Sequence, residues 1–424
     1  MPLEEEFVKL IKDPVHGYVP LTEAEIRVID TQVFQRLRRI QQLAGSNYVY
    51  PGATHTRFEH SLGVLHLAGI AGKKLSKYMS EDDVQLIRLA ALLHDVGHGP
   101  FSHSFEPFLE KKTGLNHEHM SKILVEKTEI GDILEDYGFS KSEVSTLCTG
   151  MCSSKPQFMN QIIRSAIDVD KLDFVVRDSL HTGAGYGSID IYRIIYNMDV
   201  IEEVLSLDEK ALPALETLLI GRMEAFRAIY FHKTSRAVQL MINMALEQVE
   251  DEISREQLLD PKFYCSLDDY TTWVLLKKHQ KAGKIIERLE ARKLLKAAYE
   301  RTMFLRDRYV VTLFRSEAVR NKLREELSAE SGVPIERIII DTPTLPTVPY
   351  HWGPPSEDMR IPLHRRVGGE VIQIESSSIS ELIDFMKRFM NIIRVYSFEE
   401  DREKVRKAAI RVLGSTDYSL AVSY

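Results

Sequence analysis

The stretch "HDVGHGPFSH" at 94–103 places three histidines and an aspartate within ten residues. Imidazoles and carboxylates at that density suit two kinds of work: holding a borderline metal ion, or moving protons near neutral pH. An adjacent His-Asp pair arises by chance in a chain this long, so its meaning depends on partners elsewhere. Nine of the fourteen histidines (His16, His55, His60, His66, His94, His98, His103, His117 and His119) fall within the first 119 residues, where even scatter gives about four. His66 and His119 read as surface residues. His60 lies in "TRFEHSLG", and "DVDKLDF" at 168–174 supplies carboxylates. Asp168 and Asp170 are two apart and cannot face one spot on a regular helix, so one should serve an ion and the other a structural partner. His94 and Asp95 project about 100° apart on a helix and can fill neighbouring coordination positions. Two imidazoles with carboxylates and open water positions suit Fe, Mn, Mg, Co or Ni better than a closed structural zinc.

These groups need helices to carry them. Thr22 with Glu25 forms a capping box, and Ile26, Ile29, Val33, Phe34, Leu37 and Ile40 recur at helical spacing over 21–45. Helices are predicted at 57–78 and 81–95, the second stopping at Gly97 and Gly99. More follow near 117–127, 157–180, 189–204 and 212–248. After about residue 305 the runs "RYVVTLF", "RIIIDTP", "EVIQIES" and "IIRVYSF" are rich in β-formers, with helices at 316–329 and 378–390 between them. The segment 341–358 holds five of the sixteen prolines and reads as an irregular excursion. The expected fold is mainly α: a helical body at 1–305, its core at about 50–180, and a smaller α+β region at 306–424 suited to oligomerisation.

The chain has 424 residues, 44% apolar and 28% charged, enough to bury a large core. Its net charge of −7 disfavours a nucleic acid as the main partner. Three cysteines do not make a disulfide framework, and a reducing, cytoplasmic setting is expected. Cys148 and Cys152 suit one helical face with no further ligand nearby to complete a zinc site, so they read as structural thiols. The start "MPLEEEFVKL" is acidic where a signal peptide is basic, and no apolar run reaches the ~18 residues of a membrane span.

"RFEHSLG", "LLHDVGHGPFSH" and "IDVDKLDFVVRD", in that order, resemble the HD-domain phosphohydrolase superfamily. With "LIKDPVHGYVPL", "IDTQVFQRLRRIQQLAGSNYVYPGATHTRFEHSLG" and "RAIYFHK", the chain is similar to the sterile-alpha-motif-and-HD-domain deoxynucleotide triphosphohydrolase family over about residues 8–240. The sterile-alpha-motif portion has no counterpart in this sequence. The resemblance implies a divalent transition metal (Fe, Mn, Ni, Co or Zn) held by His60, His94, Asp95 and Asp170, with Mg on the phosphates. It implies attack by an activated hydroxide on the α-phosphorus of a deoxynucleoside triphosphate, releasing deoxynucleoside and triphosphate. His117, with Glu118 beside it, matches the proton donor to the leaving 5′ oxygen. His98 and His103 match histidines facing the phosphates or a second cation. Arg57 matches the α-phosphate arginine, Lys171 and Arg222 the outer-phosphate cations, and Gln42, Leu43 and Tyr230 the residues packing on the sugar. A leucine under C2′ would reject a 2′-hydroxyl. Asp30, Gln35 and Arg38 match a guanine-nucleotide activator site between subunits, taking GTP or dGTP. The plainer reading of Arg36, Arg38 and Arg39 is a solvated helix face. Three positions depart from the pattern: Phe174 stands for Tyr, Glu106 for Asp and Lys12 for Asn.

Three functional readings follow. One is a dNTP triphosphohydrolase, nucleotide-regulated and homo-oligomeric. Another is a nucleotidase or phosphodiesterase acting on a different nucleotide. The last is a non-catalytic nucleotide-sensing or nucleic-acid-binding oligomer.

Overall fold

The computed structural model describes residues 7–186, 188–305, 316–346, 362–368, 370–375 and 389–415. The architecture is mainly α-helical with three small sheets. A hairpin of β1 (Lys9–Asp13) and β2 (Gly17–Leu21) opens the chain. Thr22 then caps the helix Glu23–Ile29 through the expected capping box. The helical spacing over 21–45 does not give one helix. Asp30 ends the first segment, Thr31 caps a second one at Gln32–Gln35, and a 3₁₀ turn follows at Arg36–Arg39. Short polar side chains that bond their own backbone break the helix while the apolar period continues.

Three helices carry the site. Arg57–Lys74 packs against Glu81–Leu93, which starts at a Ser80/Asp83 capping box. The third, Val169–Thr182, lies across the first. Their apolar faces form one core with Leu62, Leu65, Leu89, Leu92, Leu172 and Val175, all at most 3% exposed. Burial of one such side chain contributes roughly 1.5–3 kcal/mol, so the ligand-bearing helices are set by packing rather than by the ligands. Gly63 permits the closest approach, because a Cβ there would lie 1.9 Å from Asp173 Oδ1.

The predicted helix 157–180 is two, Gln157–Ile163 and Val169–Thr182, divided where Asp168 caps the second. The predicted helix 189–204 is only Ile191–Tyr196. A hairpin of β3 (Met198–Ile201) and β4 (Val204–Asp208) follows it, turning at Glu202 and Glu203, both with positive φ. The predicted helix 212–248 divides into Leu212–Ala225 and Lys233–Gln248 around a π-turn at Phe226–Tyr230.

The later chain builds two sheets. β5 (Lys296–Leu305), which the sequence reading placed in the helical body, pairs antiparallel with β10 (Phe389–Ser397). β10 also pairs with β6 (Ile339–Asp341) and β7 (Thr344–Pro346). β8 (Pro362–Val367) joins β9 (Glu370–Glu375) and runs parallel to β4, pairing Leu207 with Leu363. The helix predicted at 316–329 spans Glu317–Ser331. The predicted strand 308–314, most of the predicted helix 378–390 and the loop residues 347–358 lie outside the described residues. Among the described residues no helix is long and apolar enough to cross a membrane.

Candidate metal centre and nucleotide site

His60 sits one turn into the helix Arg57–Lys74, and His94 with Asp95 directly follows Leu93, the last residue of its helix. Asp170 lies in the first turn of Val169–Thr182. These sequence-distant groups converge. His60 Nε2 is 3.0 Å from Asp170 Oδ1 and 3.6 Å from Asp95 Oδ2. His94 Nε2 is 3.4 Å from Asp95 Oδ1 and 3.8 Å from Asp170 Oδ1.

The ring nitrogens show how the cluster is aimed. His60 Nδ1 donates to Asp173 Oδ2 at 2.7 Å, and His94 Nδ1 donates to the Ala91 carbonyl at 2.8 Å. Both Nε2 atoms then face the centre, buried and without a hydrogen-bond partner. A ligating histidine is oriented in this way, through its other ring nitrogen. Burial pushes the His60 imidazole down, but the carboxylates of Asp170 and Asp173 on either side of the ring outweigh it and raise it to about 10. A divalent cation between the same atoms supplies that positive charge in place of the proton. Asp95 pairs with Arg57 Nη1, Asp173 with Arg177 and Asp168 with Lys171. Among the described residues, no lysine or arginine within ion-pair distance of Asp170 is seen. A two-imidazole, two-carboxylate set with one carboxylate unneutralised fits a divalent transition metal.

Asp168 is the structural partner of the pair 168/170. Its Oδ1 accepts from Lys171 N at 2.9 Å and its Oδ2 from Lys171 Nζ at 2.5 Å. The Lys171 ammonium is therefore engaged rather than open.

A second group lies beside the first. Ligand atoms of His98, His103 and His117 come within 4.8 Å of one another, with His98 buried and His103 exposed. The rings of His98 and His117 stack at 3.9 Å. Glu106 accepts from His117 Nδ1 at 2.5 Å and from His103 Nδ1 at 3.1 Å. Burial raises the Glu106 carboxyl, but the two histidines overcome that and hold it far below the usual range. The carboxylate on His117 is thus Glu106, not its neighbour in the chain, Glu118. Glu118 points elsewhere on the same helix and pairs with Arg164 at 2.8 Å. Burial and the neighbouring Arg57 and His117 keep His98 well below the ordinary imidazole range, hence neutral at pH 7.

Arg222 is 8% exposed, and its Nε and Nη1 have no partner. A buried guanidinium with unpaired donors is costly unless an anion meets them. Leu43 packs in a small apolar cluster with Ala53, Ile229, Tyr186 and Tyr230, and the Phe174 and Tyr230 rings meet edge-on at 6.3 Å. The buried Gln42 Oε1 is unpaired. Arg38 donates to Gln35 Oε1 at 2.8 Å and lies over the Phe58 ring at 3.5 Å, while Asp30 ends the preceding helix nearby. His66 is not a free surface residue: it packs 5.5 Å from the His16 ring, and burial lowers it to about 4. His119 is exposed, as expected.

Residues 57–177 match the HD domain and residues 189–419 match the HD associated region. The chain belongs to the HD-domain phosphohydrolase family. It is 35% identical over 294 residues to an uncharacterized protein of Methanocaldococcus jannaschii, covering 68% of this chain and 59% of that one. It is 32% identical over 342 residues to the human deoxynucleoside triphosphate triphosphohydrolase SAMHD1, covering 68% and 54%. The Dictyostelium discoideum homolog of that enzyme is 30% identical over 312 residues, with 70% and 59% covered. The chain therefore spans less than two thirds of the length of these relatives. A solved structure of a hypothetical protein from Aquifex aeolicus superposes with a TM-score of 0.76 at 28% identity, covering 94% of this chain and 99% of that one.

Within this HD-domain chain, sequence reasoning passed over Asp173, although it stood in the quoted motif. Asp170 and Asp173 are three apart and share a helix face, and Asp173 with Arg177 makes an i,i+4 pair. That spacing was the available signal. His16 Nε2 also donates to Asp173, at 2.6 Å, bringing the N-terminal hairpin onto the support of a candidate ligand. Asp178, which binds both His55 and Tyr230, carried no such signal.

Proposed function

We propose that this protein hydrolyses deoxynucleoside triphosphates to deoxynucleoside and inorganic triphosphate, using a divalent transition metal held by His60, His94, Asp95 and Asp170. The observation that carries this reading is the pair of buried, unpartnered Nε2 atoms facing Asp95 and Asp170. A cation bound there would lower the pKa of a water and polarise a phosphoryl oxygen. Arg57, hydrogen-bonded to Ser102 and paired with Asp95, would meet the α-phosphate. His117, oriented by Glu106, gives its proton to the leaving 5′ oxygen, a role that typically contributes ~10²–10⁴ in rate. His98 and His103 face the phosphates, and Arg222 offers its unpaired donors to the outer ones. Gln42, Leu43, Phe174 and Tyr230 enclose the sugar, Leu43 excluding a 2′-hydroxyl. The names of the human and Dictyostelium relatives support the substrate class. Asp30, Gln35 and Arg38 form the activator site for GTP or dGTP in a homo-oligomer, and the protein works in the cytoplasm.

The Lys171–Asp168 pair favours a second reading, a nucleotidase or phosphodiesterase on another nucleotide, since it leaves fewer cations for outer phosphates. Assaying the purified protein with each dNTP, with nucleoside monophosphates and with cyclic nucleotides, in Mn²⁺, Mg²⁺ or Fe²⁺ and with and without GTP, separates the two. Inorganic triphosphate as the product is expected. Pyrophosphate or phosphate as the first product, or turnover of monophosphates or cyclic nucleotides alone, would overturn the first reading.

A further inference from the structure

The loop from Asp95 to Ser104 holds a conformation that its own residues disfavour. Phe101 and Ser102 are consecutive non-glycine residues with φ of 59° and 53°. The left-handed region crowds the Cβ of an L-residue, and such backbone persists only where the surroundings over-determine it. The surroundings here lie largely outside the HD domain match, on the segment 264–273. Tyr264 Oη donates to the Gly97 carbonyl at 2.6 Å. The fully buried Arg36 donates to the Val96 and His98 carbonyls, each at 2.8 Å, and to Leu267 O at 3.1 Å. Asp269, the first residue of the helix Asp269–Lys278, completes the set. Its Oδ1 accepts from Phe101 N at 2.6 Å and its Oδ2 from Gln41 N at 2.9 Å. Ser102 Oγ closes the same circuit, donating to Gln41 O at 2.6 Å and accepting from Arg57 Nε at 2.8 Å. The Phe101 ring meets Trp273 of the Asp269 helix edge-on at 6.2 Å.

We propose that Asp269 is a positioning residue that fixes the spacing of two active-site loops, the one carrying His98 and His103 and the one carrying Gln42 and Leu43. Gln41 immediately precedes the residues that enclose the sugar, and Phe101 lies between the phosphate-facing histidines. One carboxylate therefore determines how far the sugar end of a nucleotide sits from its phosphate end. Only a carboxylate does this, because both of its oxygens accept; an amide would turn an NH₂ toward one of the two backbone N–H groups. The site tolerates a buried acid for the same reason. Burial raises the Asp269 carboxyl to about 6, against the two N–H donors that favour its charged form. The proposal deepens the reading of His98 and His103 as phosphate-facing, while the clamp itself is a structural claim that can be tested without any nucleotide.

The test compares Asp269→Asn and Asp269→Ala in the full chain by amide hydrogen exchange, Mn²⁺ content and dGTP turnover. Exchange should accelerate at least about tenfold over 40–44 and 96–104, as expected for local opening rather than global unfolding. Protection of 57–74 and 169–182 and the bound Mn²⁺ should be unchanged. The dGTP kcat should fall about 10²-fold, the scale of a misplacement near 1 Å. If the Ala variant does not fold, the near-isosteric Asn variant decides. Unchanged exchange in both loops would overturn the clamp. So would a loss of protection spread evenly over the ligand helices, which marks a merely structural residue. A wild type silent on dGTP removes the substrate reading and leaves the exchange pattern to decide the clamp.

Discussion

Two histidine clusters lie side by side and are built on different principles. In the first, His60 is buried and His94 nearly so, and each is locked by a hydrogen bond at Nδ1 to a group that cannot move far: the Asp173 carboxylate, held by Arg177, and a helix carbonyl. In the second, His98, His103 and His117 grade from buried to exposed, and two of them share the single carboxylate of Glu106. The first arrangement suits a cation held in fixed geometry. The second keeps imidazoles close to solvent and to one another, as proton transfer and phosphate contact need. The same residue type takes both roles, and the difference lies in what the second ring nitrogen meets.

Removing a ligand from the first cluster should have the largest effect. Asp95→Ala should abolish metal retention, measured by elemental analysis, and turnover together. Full activity in that variant would erase the distinction between the clusters. His117→Ala should lower kcat by ~10²–10⁴ while metal content stays at the wild-type level. Parallel loss of metal would place His117 in the first cluster. The outer partners sharpen the contrast: Asp173→Asn should weaken metal affinity ~10–100-fold, and Glu106→Gln should leave it unchanged while slowing turnover. Leu43→Gly, outside both clusters, should shift the dGTP-to-GTP preference by about tenfold toward GTP. A wild type that hydrolyses the two equally would remove the sugar argument outright.

The smallest effect is on stability against pH. Glu106 is held below its unfolded value of ~4.3, so the stability it adds is present above that pH and is lost as pH falls through the folded value. The melting-temperature gap between wild type and Glu106→Gln at pH 6 should therefore shrink as the pH is lowered below about 4. A gap that is constant with pH would mean that Glu106 acts through packing rather than charge.

Much of this is legible in the sequence alone. The apolar periods marked the starts of the helices Arg57–Lys74, Glu81–Leu93 and His117–Lys127 and overran the ends of the first two by four and two residues, because each carries a long buried stripe or a clear cap. The break within 189–204 was not legible, because an apolar run reads alike in a helix and in a short buried strand, and the break within 157–180 falls at a cap, Asp168, between two helical stretches. β3 and β4 occupy such a run, and β5 another. In the site, residue types and order pointed to histidines that the structure brings together in two groups. They could not show that Glu106 rather than Glu118 orients His117: Glu118 adjoins it on the helix His117–Lys127 but turns to Arg164, while Glu106 reaches it from the start of another helix, Glu106–Thr113.

Chemical identity and spacing along the chain are properties of the sequence, and they determined that this protein carries a set of imidazoles and carboxylates suited to a divalent ion. Which nitrogen of each ring faces the centre of the cluster, which carboxylate is paired with a basic side chain, and which distant side chains hold the loop 95–104 were decided by tertiary packing. The physical reason is distance. Hydrogen bonds and ion pairs act over about 3–4 Å, and only the folded core brings Asp173 to His60 or Asp269 to Phe101 within that range.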